Sequence, residues 1–467
     1  MITMRTTEVE FHGGRVRTAP LTWGQEVIWD LMRDWENART FAVLTRWMPV
    51  PLVLGLDAVR EGIGDLMRRH EALRTRYHRT PTGDGTQEVL AAGSLPVELV
   101  DRSIEDPTDW TDIVTECLAR NAAGGFDHET DLPVRFSVIL QDGIPILLTF
   151  AVSHLSADFI SADLLVADLT ALLRARVDGR PVPPARPALQ PADLAAREER
   201  PEGQLLDIEA TRFIQRQLSR THPDMLPPRA TPVTPRFHRG QLESDAVAMA
   251  VGPAARRYRT TPSTILLSVF TALMRSVLPG PVCPVDIMLS NRMEPELATM
   301  VCSLSQGIMT VVELGGDSFA ELVAQCTAVL TEARSHGRHR QRTTLGLISR
   351  AAARRGCQFN DIWSQLPGRP RPPATLAELS AVTASSSFSW VERVAEKNKD
   401  LFMGIRGTAE RIHLSLFVDT ALLPPGDIRA FLDTFERTVV TLAFEDVPLD
   451  QVARWFTESC ARYARDR

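Results

Sequence analysis

The sequence predicts a mixed α/β protein built from two domains. Its 467 residues are more than one compact domain usually holds, and both halves of the chain mix helical and strand-like patterns. A proline-rich stretch at 179–191 separates the halves and is typical of a domain boundary. We therefore expect an N-terminal domain over 1–180 and a C-terminal domain over 192–467.

The N-terminal half opens with helical patterns and continues into a hairpin. Apolar residues recurring at helical spacing predict helices over 20–34, 57–70, 109–123 and 161–174. Short apolar runs predict strands over 73–77, 97–100, 134–140 and 144–152. Asp142-Gly143 between the last two strands is a strong hairpin signal. The final strand is apolar nearly throughout, so we expect both of its faces to be buried.

The C-terminal half repeats this mixture. Pro262 precedes an apolar run and suits the first position of a helix. The predicted helices lie over 261–274 and 426–443, and the second is expected to be the last long helix. The predicted strands lie over 285–289, 308–314 and 412–418.

Composition and charge exclude several classes of protein. The net charge of -6 and the isoelectric point near 6.0 argue against a nucleic-acid-binding protein, which needs a basic face. No apolar run approaches the roughly 18 residues of a membrane span, and the N-terminus lacks a secretion signal. None of the six cysteines lies within four residues of another, which argues against a zinc site. We expect a cytoplasmic protein without a bound metal or cofactor.

The main chemical signal is a histidine at the end of the buried strand. His154 follows that strand, and Asp158 comes four residues later, where a helix begins. Functional groups are often presented at such junctions. A neutral imidazole, with a pKa of about 6.5, can take a proton from an attacking amine or hydroxyl. The alternative is a loop histidine bonded to backbone, because the spacing alone is not specific.

Several segments, in chain order, resemble the motifs of condensation domains of nonribosomal peptide synthesis. His154 and Asp158 resemble the HHxxxDG signature, and the segment RHEALRT at 69–75 is the most specific match. The other matching segments lie at 21–29, 126–135, 290–297 and 412–420. Together the matches extend from about residue 18 to about residue 440, so the resemblance covers nearly the whole chain.

This resemblance implies a fold and a set of roles. The fold would be a V-shaped pseudo-dimer of two chloramphenicol-acetyltransferase-like lobes with a central tunnel. His154 would be the catalytic or acceptor-positioning residue, whereas Asp158 would be structural and paired with Arg292. The segment 69–75 would belong to the scaffold.

The resemblance also implies a reaction and its partners. An acyl or aminoacyl group would pass from the 4'-phosphopantetheine of an acyl or peptidyl carrier protein to an amine or hydroxyl. That acceptor would be a small molecule or would itself be carrier-bound. The chain length fits one condensation unit, so we expect a free-standing protein.

Two departures from the signature surround His154. Ser153 replaces its first histidine, and Phe159 replaces its glycine, so a phenyl ring would narrow the tunnel or shape it for an unusual acceptor. A narrowed tunnel leaves open a second function, in which a non-catalytic condensation-like docking domain recruits a partner to a carrier-bound intermediate. Epimerisation or cyclisation of a bound intermediate is a third function, although no residue selects it.

A third departure lies at 301–307, which aligns with the VGxFxNT motif but lacks its Gly, Asn and Thr. Cys302, Ser303 and Gln306 belong to this tunnel or motif segment. Cys302 could be a nucleophile, but no base is adjacent, and a buried thiol is the favoured interpretation. The basic run at 334–342 is interpreted as a solvated helix face or as a carrier-binding patch.

Overall fold

Two compact units make up the chain. The computed structural model describes residues 2–14, 16–34, 42–182, 189–221, 226–350, 356–365, 375–397 and 399–464. The first unit comprises Met1–Asp207 and Ser290–Gln306, and the second comprises Ile208–Leu289 and Gly307–Arg467.

The division between the units differs from the boundary expected at 180–192. The chain leaves the first unit only after Asp207, and Ser290–Gln306 returns to that unit. The physical reason is that Arg292 of this segment forms an ion pair with Asp158 of the first unit, a contact between distant parts of the sequence. Residues 183–188 of the proline-rich stretch lie outside the described residues.

The first unit contains two β-sheets. Its strands are β1 (Ile2–His12), β2 (Arg17–Pro20), β3 (Val43–Pro49), β4 (Thr75–Arg79), β5 (Gly85–Val89), β6 (Ala92–Arg102), β7 (Val134–Gln141) and β8 (Ile144–Ser153). The larger sheet has the strand order β1-β6-β7-β8-β3, and the smaller one has the order β2-β5-β4. In the larger sheet β6 and β7 run parallel, and the other neighbours run antiparallel.

Helices cover the larger sheet of the first unit. The helices before the unit boundary are α1 (Trp23–Asp34), α2 (Leu56–Arg69), α3 (Trp110–Ala122), α4 (Phe159–Val177) and α5 (Pro191–Glu198). Helices α2 and α4 pack against each other, and α2 also packs on β1 and α4 on β3. Their buried faces, which include Ile63 and Leu169, form one core with the inward side chains of the sheet, such as Val138.

The second unit is built around one seven-stranded sheet. Its strands are β9 (Phe237–Ser244), β10 (Val282–Leu289), β11 (Gln306–Glu313), β12 (Cys357–Asp361), β13 (Ser387–Val394), β14 (Leu401–Gly407) and β15 (Ile412–Asp419). The strand order is β11-β10-β12-β14-β15-β9-β13. Strand β12 runs parallel to both of its neighbours, whereas β14, β15, β9 and β13 pair antiparallel.

The remaining helices belong mainly to the second unit. They are α6 (Pro201–Leu218), α7 (Asp245–Arg257), α8 (Pro262–Met274), α9 (Pro295–Ala298), α10 (Phe319–His336), α11 (Gln341–Arg350), α12 (Leu376–Thr383), α13 (Pro425–Leu442) and α14 (Leu449–Tyr463). The unit boundary falls within α6, and α9 lies in the segment that belongs to the first unit. Helix α8 is buried from Thr264 to Met274, so it forms the centre of the second core.

Local sequence signals explain where several elements begin and turn. Asp142 and Gly143 have φ values of 48° and 81°, and positive φ at both positions is what a two-residue hairpin turn requires. Thr261 caps α8 by accepting a hydrogen bond from the backbone of Thr264, and Pro262 follows it. The predicted hairpin and the predicted start of this helix are therefore confirmed.

Other elements differ from the expectation. The helix predicted as the last one, 426–443, is followed by α14, whose buried residues Leu449, Val452 and Phe456 recur at helical spacing. The strand predicted at 73–77 starts later, because Glu71–Arg74 forms a 3-10 turn before β4. Strand β1 was not predicted; most of its side chains are exposed, and only Val9 and Phe11 are buried. Among the described helices, none has the length and low polarity needed to cross a membrane.

The first unit should not tolerate a side chain at Gly24. A Cβ atom there would lie 2.2 Å from the carbonyl oxygen of Ser303, and backbone atoms cannot move aside as a flexible side chain can. We expect Gly24→Ala to lower the free energy of unfolding by about 1–3 kcal/mol. Gly280→Ala, whose Cβ would meet nothing within 4 Å, is the control. Thermal unfolding followed by circular dichroism tests this, and equal melting temperatures for the two variants would count against it.

Candidate active site

The turn 153–158 runs from the last residue of β8 to the residue before α4, and most of its residues are buried. Ser153, Leu155, Ser156 and Ala157 are completely buried, and Asp158 is 1% exposed. His154 alone in this turn is partly exposed. His154 is therefore the one residue of this segment that is not buried, although the Nδ1 atom of its imidazole is buried.

Backbone hydrogen bonds hold the start of this turn. The amide of Ser153 donates to the carbonyl of Pro133 at 2.8 Å, and the amide of His154 donates to the carbonyl of Ala42 at 2.7 Å. The amide of Ala157 then closes the turn by donating to the carbonyl of Ser153 at 3.0 Å. These bonds satisfy buried backbone groups that would otherwise destabilise the fold, and they fix the backbone on both sides of His154.

Asp158 anchors the end of the turn. Its Oδ1 accepts hydrogen bonds from the backbone of Ser161 and from Arg292, each at 2.8 Å. Its Oδ2 accepts from the amide of Leu304 and the hydroxyl of Ser305, each at 3.2 Å. Burial alone would raise the pKa of this carboxyl, but the charge of Arg292 and these hydrogen bonds outweigh it and hold the pKa below its ordinary value. The carboxylate is thus charged and has four donors.

Arg292 completes the anchor from the other segment. The residues predicted to pair, Asp158 and Arg292, form a salt bridge, and the arginine side chain is only 6% exposed. Its Nη2 also donates to Ser161 Oγ at 2.7 Å, and its Nη1 donates to the carbonyls of Leu297 and Met300 at 3.0 and 2.7 Å. The guanidinium therefore binds the beginning of α4 to the segment that follows β10.

Phe159 lies directly beside the histidine. The centroids of the His154 and Phe159 rings are 6.1 Å apart, and the rings meet edge to face at 89°. The guanidinium of Arg46 packs against the Phe159 ring, with its Cζ 5.8 Å from the ring centroid, and it donates a hydrogen bond to the carbonyl of Phe159 at 3.2 Å. Arg46 Nε also donates a hydrogen bond to Asp163 Oδ1 at 2.6 Å. A phenyl ring is thus fixed next to the imidazole, at the position where the signature has glycine.

The altered segment 301–307 contributes packing to the first unit. Cys302 is fully buried, and burial raises the pKa of its thiol to about 12, so the nucleophilic thiolate is scarce at neutral pH. Its Sγ lies 3.7 Å from Thr22 Oγ1. Ser303 is also fully buried, and Gln306 accepts a hydrogen bond from Asn291 at 3.3 Å. The buried-thiol interpretation of Cys302 is therefore the one that the geometry favours.

The segment 69–75 has contacts typical of a scaffold. Arg69 and His70, at the end of α2, both reach Asp168 of α4, at 3.2 and 2.8 Å. Arg74 and Arg17 both approach Glu71, at 3.6 and 3.3 Å. These ion pairs connect α2, the 3-10 turn and the small sheet to the rest of the unit.

The basic run at 334–342 begins at the end of α10. His336 stacks on Phe213, with ring centroids 4.6 Å apart and an angle of 8° between the ring planes. Its Nδ1 lies 2.9 Å from the carbonyl of Glu332. Within the part of the chain that the structure describes, no group of three or more histidine, cysteine, aspartate or glutamate residues could hold a metal ion.

Two residues of the site were not singled out from the sequence. His128 Nε2 lies 2.7 Å from Ser153 Oγ, and Tyr77 OH lies 2.7 Å from Ser156 Oγ. His128 falls within the matching segment 126–135, and Tyr77 lies just after the matching segment 69–75. No spacing in the sequence shows that both side chains reach the turn that carries His154.

Comparison with known proteins identifies the family. The condensation domain model matches residues 17–355, which is most of the chain. The chain belongs to the condensation domain family.

Curated relatives of this condensation domain are longer than the chain. It is 28% identical over 331 residues to phosphinothricin tripeptide synthetase PhsB of Streptomyces viridochromogenes, an alignment that covers 68% of the chain and 27% of the synthetase. The chain thus spans only about a quarter of that relative's length.

Solved structures show the same fold. The condensation domain of the monacolin K polyketide synthase MokA matches with a TM-score of 0.70 at 14% identity, over 93% of this chain and 100% of that one. The X-domain of teicoplanin biosynthesis, solved in complex with OxyB, matches with a TM-score of 0.64 at 21% identity, over 94% of each chain. The mixed α/β architecture is therefore the chloramphenicol-acetyltransferase-like fold of condensation domains.

Loss of Asp158 should destabilise the protein. Asp158→Ala would leave the buried guanidinium of Arg292 without its counter-charge, and we expect a loss of about 3–5 kcal/mol in the free energy of unfolding. Asp57→Ala is the matched control, because Asp57 pairs with Arg60 at 3.1 Å but is 88% exposed. Denaturant unfolding at pH 7 measures both variants, and equal stabilities would exclude a structural role for the buried pair.

The same pair makes a prediction about pH. The folded pKa of Asp158 lies below its ordinary value of 3.8, so the stability it contributes is present above pH 4 and disappears as the pH falls through the folded pKa. The stability difference between the wild type and Asp158→Ala should therefore be constant from pH 7 to pH 5 and shrink below pH 4.

Proposed function

We propose that this condensation domain catalyses acyl transfer from a carrier-bound thioester to an amine or hydroxyl acceptor, with His154 as the base. The observation that carries the proposal is the partial exposure of His154. It is the one residue of the turn 153–158 that is not buried, on a backbone held at both ends. A rigid turn that exposes one imidazole is suited to proton transfer at a fixed position.

The chemistry requires little beyond this base. A thioester is already activated, so the enzyme needs to align the acceptor, accept its proton and stabilise the oxyanion. The nitrogen or oxygen of the acceptor forms a bond to the acyl carbon, and the carbon–sulfur bond breaks. The proton that His154 takes from the acceptor can pass to the departing thiolate, which restores the neutral imidazole.

The other site residues support His154 in this proposal. Asp158 accepts four hydrogen bonds and forms an ion pair with Arg292, so we assign it to holding the turn. Ser153 is completely buried and belongs to the frame. Phe159, at 6.1 Å from the imidazole, is assigned to shaping the space in which the acceptor lies.

The similarity to a tripeptide synthetase supports a donor carried by an acyl or peptidyl carrier protein. The 4'-phosphopantetheine would then belong to the carrier, and the acceptor would be a small molecule or would be carrier-bound. We place the reaction in natural-product biosynthesis in the cytoplasm, where carrier proteins are loaded.

Replacing His154 should abolish the transfer. Carrier proteins loaded with acyl groups are incubated with a pool of amines and alcohols, and intact-protein mass spectrometry follows their unloading. We expect acceptor-dependent unloading with the wild type and a rate at least about 100-fold lower with His154→Ala, because general-base catalysis contributes about that much. His78→Ala is the control, since His78 is a surface residue bonded to Glu88. Undiminished unloading by His154→Ala would remove this residue from the mechanism.

A second candidate function is recruitment without catalysis. It is favoured by the phenyl ring of Phe159 against the imidazole, since that ring fills space beside the base. The fold is also that of an X-domain solved in complex with OxyB. In this function the chain would bind a loaded carrier and a partner enzyme and would leave the thioester intact.

Phe159 distinguishes the two functions. If the ring limits acceptor access, Phe159→Ala should increase unloading by bulky acceptors about tenfold or more relative to small ones, whereas the neighbouring variant Ile160→Ala should not. The same mass-spectrometric assay measures both. If the wild type and both variants leave every carrier loaded while one carrier co-purifies with the chain, recruitment replaces acyl transfer as the function.

A further inference from the structure

Side chains from two distant segments brace the turn that carries His154. Ser153 and Ser156, at one residue before and two residues after the histidine, are both completely buried. His128 Nε2 lies 2.7 Å from the hydroxyl of Ser153, and the hydroxyl of Tyr77 lies 2.7 Å from that of Ser156. Each serine next to the histidine therefore has an aromatic residue as its hydrogen-bond partner.

The two bracing residues are themselves joined. The amide of Tyr77 donates to the carbonyl of His128 at 2.8 Å, and their rings meet edge on with centroids 6.0 Å apart. Tyr77 comes from β4 and His128 from the segment between α3 and β7. The backbone hydrogen bond and the ring contact thus join Tyr77 and His128 into one pair, called the clamp below.

Tyr77 has a second hydrogen-bond partner in Gln25. Gln25 accepts a hydrogen bond from the amide of Thr22 through Oε1 at 2.9 Å, which directs its Nε2 to the phenol oxygen of Tyr77 at 3.3 Å. The amide nitrogen can only donate, so the phenol oxygen accepts this bond, whereas either hydroxyl can be the donor between Tyr77 and Ser156. Burial raises the pKa of Tyr77, so the phenol keeps its proton throughout the neutral pH range.

The contact between Ser153 and His128 resembles the serine–histidine pair of a nucleophilic enzyme. The burial of Ser153 argues against that role, because no acyl group can reach a completely buried hydroxyl. The same Oγ also accepts a hydrogen bond from the amide of Leu155 at 3.2 Å. The hydroxyl therefore ties His128 to the backbone that surrounds His154.

We propose that Tyr77 and His128 are positioning residues that fix the orientation of the His154 imidazole by holding Ser153 and Ser156. The inference rests on the function proposed above, in which His154 takes a proton at a defined position. A base contributes fully only when it is aligned with the acceptor, and small displacements cost large factors in rate. Neither positioning residue is required to touch substrate.

The first test does not require turnover. The protein is labelled with carbon-13 histidine, and the ring resonance of His154 is assigned by its absence in His154→Ala. We expect Tyr77→Phe, which removes only the hydroxyl, to shift or broaden that resonance. Tyr258→Phe is the matched control, because Tyr258 donates its hydroxyl to Asp446 in the second unit. Ser156→Ala removes the same hydrogen bond between Tyr77 and Ser156 by deleting the serine hydroxyl, so it replaces Tyr77→Phe in the test if that variant folds poorly.

The second test separates positioning from stability. In the carrier-unloading assay, Tyr77→Phe and His128→Leu should lower kcat about tenfold or more and change KM less than about twofold. His128→Gln, whose amide can still bond to Ser153, should recover most of kcat. A lower melting temperature with unchanged kcat would reduce the clamp to a structural role.

The two proposals fail in different ways. If the His154 resonance is unchanged in Tyr77→Phe, Ser156→Ala and His128→Leu, the clamp does not orient the imidazole and the inference is wrong. If the resonance responds but even the wild type unloads no carrier, the positioning stands and the proposed acyl transfer is wrong.

Discussion

The candidate site depends on the buried ion pair of Asp158 and Arg292, two residues separated by more than 130 positions. Removing two charges from water is costly, and their attraction offsets that cost only when the other hydrogen-bonding positions are filled. Here the carboxylate accepts four hydrogen bonds, and the guanidinium donates to several backbone carbonyls as well. An apolar pair could fill the same space, but it has no directional hydrogen bonds to fix the start of α4 and the segment 290–306 in one relative position.

Three sets of hydrogen bonds act on the turn that presents His154. The ion pair holds its end, backbone carbonyls of Pro133 and Ala42 hold its beginning, and the clamp of Tyr77 and His128 holds the serines between. Buried polar groups with partners restrict a backbone to one arrangement, since any other leaves a donor or acceptor unsatisfied. Both ends of the turn and both of its serines thus have hydrogen-bond partners, and His154 is the one residue of the turn that is not buried.

Local sequence signals predicted the helices and strands around the site, but they did not predict the contacts between distant segments of the chain. The Asp142-Gly143 hairpin follows from turn preferences, and the helix after Asp158 was predicted from apolar residues at helical spacing. Both signals depend on neighbouring residues. Strand β1 is mostly exposed and is defined by its pairing with β6, and its apolar alternation is broken by the polar residues between Met4 and Val9. Two other features depend on tertiary packing: Ser290–Gln306 belongs to the first unit, and His128 contacts Ser153. The spacing of residues in the sequence does not predict either feature.

The two departures beside His154 have opposite consequences. Serine in place of the first signature histidine removes an imidazole from β8, but His128 brings one to the Ser153 hydroxyl from another segment. The imidazole at the Ser153 hydroxyl therefore comes from a different segment of the chain. Phenylalanine in place of glycine adds a ring next to the imidazole of His154. Under the proposed acyl transfer, the retained hydrogen bond at Ser153 and the added ring at Phe159 favour an altered choice of acceptor over loss of the reaction.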